Sequence, residues 1–125
     1  MTVNGKISSE RKKELREQYK LMKPDMGVFA VVCKTKSRYY LEASEDMKSA
    51  INSTEFKLNA GMHPHRELQR DWQEIGRDGF EIRILERIEI DDQKDPKENY
   101  QDDLALLKMI WEERLLERNA KIYRS

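Results

Sequence analysis

Two pairs of side chains have the residue types from which a divalent metal site could be built. His63 and His65 flank Pro64 in the run GMHPHRELQ, and imidazole nitrogens are frequent metal ligands. Because proline favours the first turn of a helix and no third ligand adjoins the pair, we interpret both histidines as polar residues at a helix start. Glu42 and Glu112 carry the hard carboxylate oxygens that magnesium or manganese takes, and they form a site only if the fold brings them together.

Two further reactive groups have simpler explanations. Glu112 lies one helical turn after Lys108, and an ion pair between them at the helix surface is the more common arrangement for this spacing. The single cysteine, Cys33, lies within the apolar run VFAVVC, which favours a buried structural thiol over a nucleophile. No group of cysteines and histidines has the spacing of a zinc site. Whether any of these residues form a site depends on which of them the helices and strands bring together.

The composition excludes several classes of protein. The 125 residues carry 24 basic and 24 acidic side chains, and a net charge of zero argues against a polycation that coats nucleic acid indiscriminately. The length fits one domain. No apolar stretch approaches the roughly 20 residues of a membrane helix, and the N-terminus lacks the apolar centre of a secretory signal. We therefore expect no membrane partner and, with one cysteine, a cytoplasmic location.

Apolar periodicity predicts elements in the order α-β-β-α-α-β-α. Both alternating faces of GVFAVVCK are apolar, which is typical of a central strand, whereas Leu68, Trp72 and Ile75 recur at helical spacing. We predict an α+β fold with a small three-stranded antiparallel sheet flanked by helices, and an extra N-terminal helix. The predicted strands are 27–34, 38–43 and 80–90, and the predicted helices are 7–22, 45–59, 64–75 and 102–118.

Two tripeptides on the first two predicted strands carry a family resemblance. GVF at 27–29 and YLE at 40–42 stand where the GIY-YIG nuclease family has Gly-Ile-Tyr and Tyr-Ile-Gly, and the later run LQRDWQEIGRDGFEIRILE also fits. Over residues 26–115 the chain resembles this family, whose members cleave DNA phosphodiesters. The resemblance implies a GIY-YIG-like domain over residues 26–125, preceded by a helical extension over residues 1–25.

The resemblance also implies a catalytic site, most of whose positions are substituted in this chain. The family site has two tyrosines, a helix arginine, often a histidine, and a glutamate that holds a metal. The second tyrosine is kept as Tyr40, and the other four positions fall, in that order, on Phe29, Ala50, Thr54 and Lys108. Removing one transition-state donor typically costs about 2.7–4 kcal/mol, and a lysine adds repulsion toward a metal. We therefore expect negligible cleavage by the family mechanism.

Three functions stay open for a domain with such a site. The first is weak, salt-dependent nucleic-acid binding through Lys57, Arg66 and Arg70. The second is a protein-interaction module in which the amphipathic segment 7–22 mediates self-association. The alternative is a divalent-metal-dependent DNA endonuclease with a rearranged active site, in which Glu42 and a second glutamate on the last helix hold the ion. Only this alternative requires magnesium or manganese, and the other two require no cofactor.

Overall fold

The computed structural model describes residues 10–14, 25–89 and 100–124. Residues 10–14 are helical and exposed, and the remainder of the predicted helix 7–22 lies outside the described residues. Within the described part of the chain, no helix is long and apolar enough to cross a membrane. The sheet and the helices that cover it come from the two longer described ranges.

A four-stranded sheet lies at the centre of the protein. Its strands are β1 (Met26–Cys33), β2 (Arg38–Ser44), β3 (Phe80–Ile88) and β4 (Lys121–Ile122), in the spatial order β3-β1-β2-β4. β1 pairs antiparallel with both β2 and β3. All eight residues of β1 are buried, as a strand with two apolar faces requires. The three predicted strands are therefore confirmed.

Three helices flank this sheet, and their predicted ends are correct to within two residues. They are α1 (Met47–Ala60), α2 (Arg66–Ile75) and α3 (Gln101–Glu117). The side chain of Asp46 caps α1 by accepting a hydrogen bond from the backbone N–H of Ser49. Gly61 ends α1 in the left-handed conformation that glycine adopts at least cost.

The fourth strand corrects the predicted three-stranded antiparallel sheet. β4 runs parallel to β2, with Lys121 beside Arg38 and Ile122 beside Tyr39. Two residues are too few to show an alternation of apolar side chains, so no pattern marks this strand. Asn119, at φ 64°, turns the chain back from the end of α3 toward the free edge of β2.

Alternate residues of β1 supply two hydrophobic cores on opposite faces of the sheet. Val31 and Cys33 pack against α1 and α2, whereas Val28 packs in the cluster that contains α3. Cys33 is fully buried with a free thiol, which confirms the expectation of a structural cysteine. The buried helix residues in these two cores are Leu58, Leu68, Trp72 and Leu115.

Candidate functional site

A groove opens along the edge of β2, beyond the point where β4 ends. It has a volume of about 720 Å³ and is bounded by β2, the start of α2, α3 and residues 123–124. β4 pairs only with Arg38 and Tyr39, so the later residues of β2 have no strand on this side in the described part of the chain. The residues that line the groove include Tyr40, Leu41, His65, Lys108, Glu112 and Arg124.

The two histidines accept hydrogen bonds from backbone amides at the start of α2. Nδ1 of His65 accepts from the N–H of Leu68 at 3.2 Å, and Nδ1 of His63 accepts from the N–H of His65 at 3.0 Å. Burial, followed by the nearby charges of His65 and Lys57, lowers the pKa of His63. The interpretation of both residues as helix-start polar groups is therefore confirmed, and both Nδ1 lone pairs are occupied.

Tyr40, the retained tyrosine of the YLE tripeptide, reaches the groove while half-buried. Its ring meets the rings of His63 and His65 edge-on, with ring centres 5.2 and 5.5 Å apart. Burial, with a further contribution from Glu42, raises the pKa of the Tyr40 hydroxyl. The hydroxyl is therefore protonated at neutral pH and able to donate a hydrogen bond.

Lys108 and Glu112 both line the groove, one turn apart on α3. The expected ion pair between them is not formed, and neither side chain takes part in an ion pair within the described ranges. Both residues are half-buried. The groove therefore contains an ammonium and a carboxylate that remain able to bind a group of opposite charge.

The remaining positions of the family site lie outside the groove lining. Phe29 is fully buried and stands opposite Glu42 in the β1–β2 ladder. The Glu42 carboxylate accepts a hydrogen bond from the Thr54 hydroxyl at 3.2 Å, and the half-buried Ala50 lies one turn before Thr54 on α1. Glu112 lines the groove and Glu42 does not, so the structure does not bring these two carboxylates together there.

The groove residues do not fit the divalent metal that the family resemblance implies. Such a metal takes several oxygen ligands, and the carboxylates that line the groove, Glu112 and Glu113, share it with the ammonium of Lys108. That ammonium repels a cation. Across the described residues, no three His, Cys, Asp or Glu side chains group closely enough to hold a metal ion.

Lys57, Arg66 and Arg70 are exposed side chains that lie outside the groove lining. Arg66 and Arg70 are one turn apart on α2, and Lys57 is in the last turn of α1. The acidic neighbour Glu67 is paired with Arg38, so its charge is already partly compensated. The three basic residues could therefore contact a polyanion along the outside of α1 and α2.

A buried carboxylate beside the groove was not predicted from the sequence. Asp71 is 3% exposed and accepts hydrogen bonds from the Lys36 ammonium at 2.7 Å and from the Tyr123 hydroxyl at 2.6 Å. Burial would raise the pKa of Asp71, but the two hydrogen bonds outweigh it and hold the pKa below its usual value of 3.8. The position of Asp71 within the apolar stripe of α2 is its one sequence signal, because both partners are distant in the chain.

Tyr123 joins this buried cluster to the groove. Its ring lies edge-on to His65, with ring centres 5.7 Å apart, and the guanidinium of Arg38 stacks over it at 5.0 Å. Its backbone N–H donates to the carbonyl of Tyr39 at 2.8 Å. Tyr123 therefore contacts both His65, in the groove lining, and the buried Asp71 on α2.

Comparison with solved structures identifies the fold. The chain is similar to the catalytic domain of the homing endonuclease I-TevI, with a TM-score of 0.61 and 21% identity over 80% of this chain and 99% of that domain. A glutamate-to-alanine mutant of the same catalytic domain, named an intron endonuclease, gives a TM-score of 0.61 and 20% identity over 80% and 92% of the two chains. No family model and no curated protein matches. The chain therefore has the fold of a homing-endonuclease catalytic domain, as its GVF and YLE tripeptides imply.

Proposed function

We propose that this protein binds DNA weakly and does not cleave it. The likeness to a domain named as the catalytic part of a homing endonuclease supports DNA as the partner. A shared fold does not determine activity, which depends on the residues of the site. The substitutions at the family's site positions support the absence of cleavage.

The observation that carries the proposal is the ammonium of Lys108, which lines the groove beside Tyr40 and forms no ion pair with any residue that the structure describes. By the family resemblance, Lys108 stands at the position of the metal-holding glutamate. Phe29, at the position of the first tyrosine, is fully buried and has no hydroxyl with which to orient an attacking water. At these two positions the chain therefore lacks the carboxylate that holds the metal and the hydroxyl that orients the attacking water in the family mechanism.

Binding is assigned to the exposed cations Lys57, Arg66 and Arg70. Contacts of this kind act on phosphates, so they give little sequence preference and a strong dependence on salt. For three phosphate contacts on duplex DNA, raising the salt from about 50 to about 200 mM weakens binding roughly 40-fold. If fewer than three phosphates are contacted, the same rise in salt causes a smaller loss of affinity.

Fluorescence anisotropy with single-stranded, duplex and branched DNA tests the binding. The triple change of Lys57, Arg66 and Arg70 to glutamine should weaken binding at low salt and flatten its salt dependence. A matched triple change elsewhere on the surface should have a much smaller effect. Absence of binding to all three DNA forms at low salt would end the proposal. The control variant replaces the exposed residues Lys34, Lys48 and Arg118 by glutamine.

The alternative is a divalent-metal-dependent endonuclease with a rearranged site. It requires Glu42 and Glu112 to act on one ion, although Glu42 is hydrogen-bonded to Thr54. Plasmid nicking with magnesium or manganese, abolished by a chelator and by Glu112→Gln, would establish it. We expect no nicking above that of a mock purification.

A second candidate is a protein-interaction module, favoured by an exposed apolar row on α3. Leu106, Met109 and Leu116 are 57%, 59% and 42% exposed and recur at helical spacing. The segment that would mediate self-association is 7–22. Light scattering on the intact chain and on one lacking residues 1–24 tests it, because a monomer in both cases removes this candidate.

A further inference from the structure

Residues that line the groove carry hydrogen-bond donors for which the described part of the chain supplies no acceptor. His65 uses Nδ1 to accept the hydrogen bond from Leu68, so in the neutral ring we assign the proton to Nε2. Nε2 is buried and has no hydrogen-bond partner among the residues that the structure describes. A buried donor that is left unsatisfied is costly, which points to an acceptor supplied from outside the protein.

The backbone of β2 supplies a second donor to the same groove. Tyr39 turns its carbonyl outward, where it accepts the hydrogen bond from Tyr123. Residues two apart on a strand direct their backbone groups to the same side, so the N–H of Leu41 also faces outward, at the lining of the groove. The Tyr40 hydroxyl, protonated at neutral pH, is a third donor.

Two cations complete the set of groups that favour an anion. Lys108 and Arg124 line the groove, and neither takes part in an ion pair within the residues that the structure describes. Glu112 and Glu113 line it as well. Their charges oppose a second anionic group, so the groove suits one compact anion rather than a run of phosphates.

We propose that the groove binds a single phosphate group directly, with the Lys108 ammonium in the role of the divalent metal. The inference rests on the proposed function, because it names the part of a nucleic acid that the groove takes. Lys108 supplies the fixed positive charge, and His65 Nε2–H and the Leu41 N–H supply directional hydrogen bonds to phosphate oxygens. Binding of this kind needs no metal.

A titration of the full chain with inorganic phosphate, in the presence of a chelator, tests the proposal. The expected result is saturable binding, with shifts of the His65 ring and Leu41 amide NMR signals at the same midpoint. Lys108→Met should weaken binding at least tenfold, whereas Lys48→Met, an exposed lysine on α1, should leave it unchanged. No saturation, or equal binding by the two variants, would overturn it.

The reciprocal variant keeps the test independent of folding. Lys108→Glu should abolish phosphate binding and should permit manganese to broaden the same His65 and Leu41 signals. Circular dichroism and the melting temperature establish that both Lys108 variants are folded. Loss of phosphate binding without any gain for manganese still supports a charge-based site, whereas retained phosphate binding in folded Lys108→Glu contradicts it.

Oligonucleotides distinguish the two sources of a phosphate group. Tighter binding of a 5′-phosphorylated oligonucleotide than of its unphosphorylated form assigns the groove to a terminal phosphate. Equal binding of both forms, each weakened by Lys108→Met, assigns it to an internal phosphodiester. If DNA binding depends on Arg66 and Arg70 but not on Lys108, the groove inference fails and the proposed function stands. If phosphate binds but no DNA form does, the proposed function fails.

Discussion

Two polar clusters lie on either side of Tyr123, and they differ in whether their charges are paired. On one side, the buried Asp71 carboxylate accepts hydrogen bonds from Lys36 and from the Tyr123 hydroxyl. On the other side, Lys108 and Glu112 share the groove without an ion pair in the described part of the chain. Tyr123 thus borders both a cluster whose charges are paired and a groove whose charges are not paired with any described residue.

The difference separates a structural role from a ligand-binding role. A buried charge must be paired and hydrogen-bonded, or its burial destabilises the folded state. A half-buried charge in a groove is hydrated and can stay unpaired until a ligand arrives. We therefore expect substitutions in the Asp71 cluster to change stability, and substitutions in the groove to change binding.

The largest effect is expected for Asp71→Ala. It removes two hydrogen bonds, one of them from a charged donor, and leaves the buried Tyr123 hydroxyl without its carboxylate acceptor. The expected loss is about 3 kcal/mol in the free energy of unfolding, at the lower end for breaking a buried pair because Lys36 is partly exposed. Urea denaturation measures it, with the exposed Asp78→Ala as control. Equal urea midpoints for the two variants would mean that Asp71 contributes no more to stability than an exposed carboxylate does.

A smaller loss is expected for Tyr123→Phe, which keeps the ring and removes the hydroxyl. Asp71 then retains only the hydrogen bond from Lys36, and the expected loss in unfolding free energy is about 1.5 kcal/mol. Tyr39→Phe is the matched control, since among the described residues the Tyr39 hydroxyl makes only a long, exposed contact with Arg83 at 3.4 Å. An equal loss in both variants would mean that the hydroxyl of Tyr123 does not stabilise the fold through Asp71.

The pH dependence of stability should reflect the ionisation of Asp71 in the same cluster. Because the pKa of Asp71 is depressed in the folded protein, its stabilisation is present above the usual value of 3.8 and is lost as the pH falls through the folded pKa. Asp71→Asn lacks this ionisation, so its urea midpoint should fall less steeply below pH 4 than that of the unmodified chain. Parallel curves for the two proteins would show that other carboxylates control acid unfolding.

The fold was largely predictable because its main elements have strong local patterns. The two apolar faces of GVFAVVC predict a central buried strand, and all of β1 is buried. Gly27, by contrast, has a tertiary reason, because a side chain there would overlap the backbone carbonyl of Glu86 on the neighbouring strand β3. This close approach lies beside a β-bulge, between Val28 and Phe29.

The candidate site was predicted only in part, because its assembly depends on distant residues. Tyr40 and Lys108 were found through the family resemblance, and both line the groove. Asp71 and Tyr123 are 52 residues apart, and no periodicity links them. Tyr123 follows a two-residue strand that produces no alternation, so the segment that closes one side of the groove has no sequence signal.

The smallest effect on stability is expected for Lys108→Met, and this variant tests the groove side of the comparison. Lys108 has no ion-pair partner among the described residues, so none of their carboxylates loses a partner when the lysine is replaced. The free energy of unfolding should change by less than about 0.5 kcal/mol, even though the same change is expected to weaken phosphate binding at least tenfold. Glu112→Gln should have an equally small effect on the free energy of unfolding measured by urea denaturation. A loss above about 1 kcal/mol in either variant would mean that the groove charges stabilise the fold, and the contrast with Asp71 would disappear.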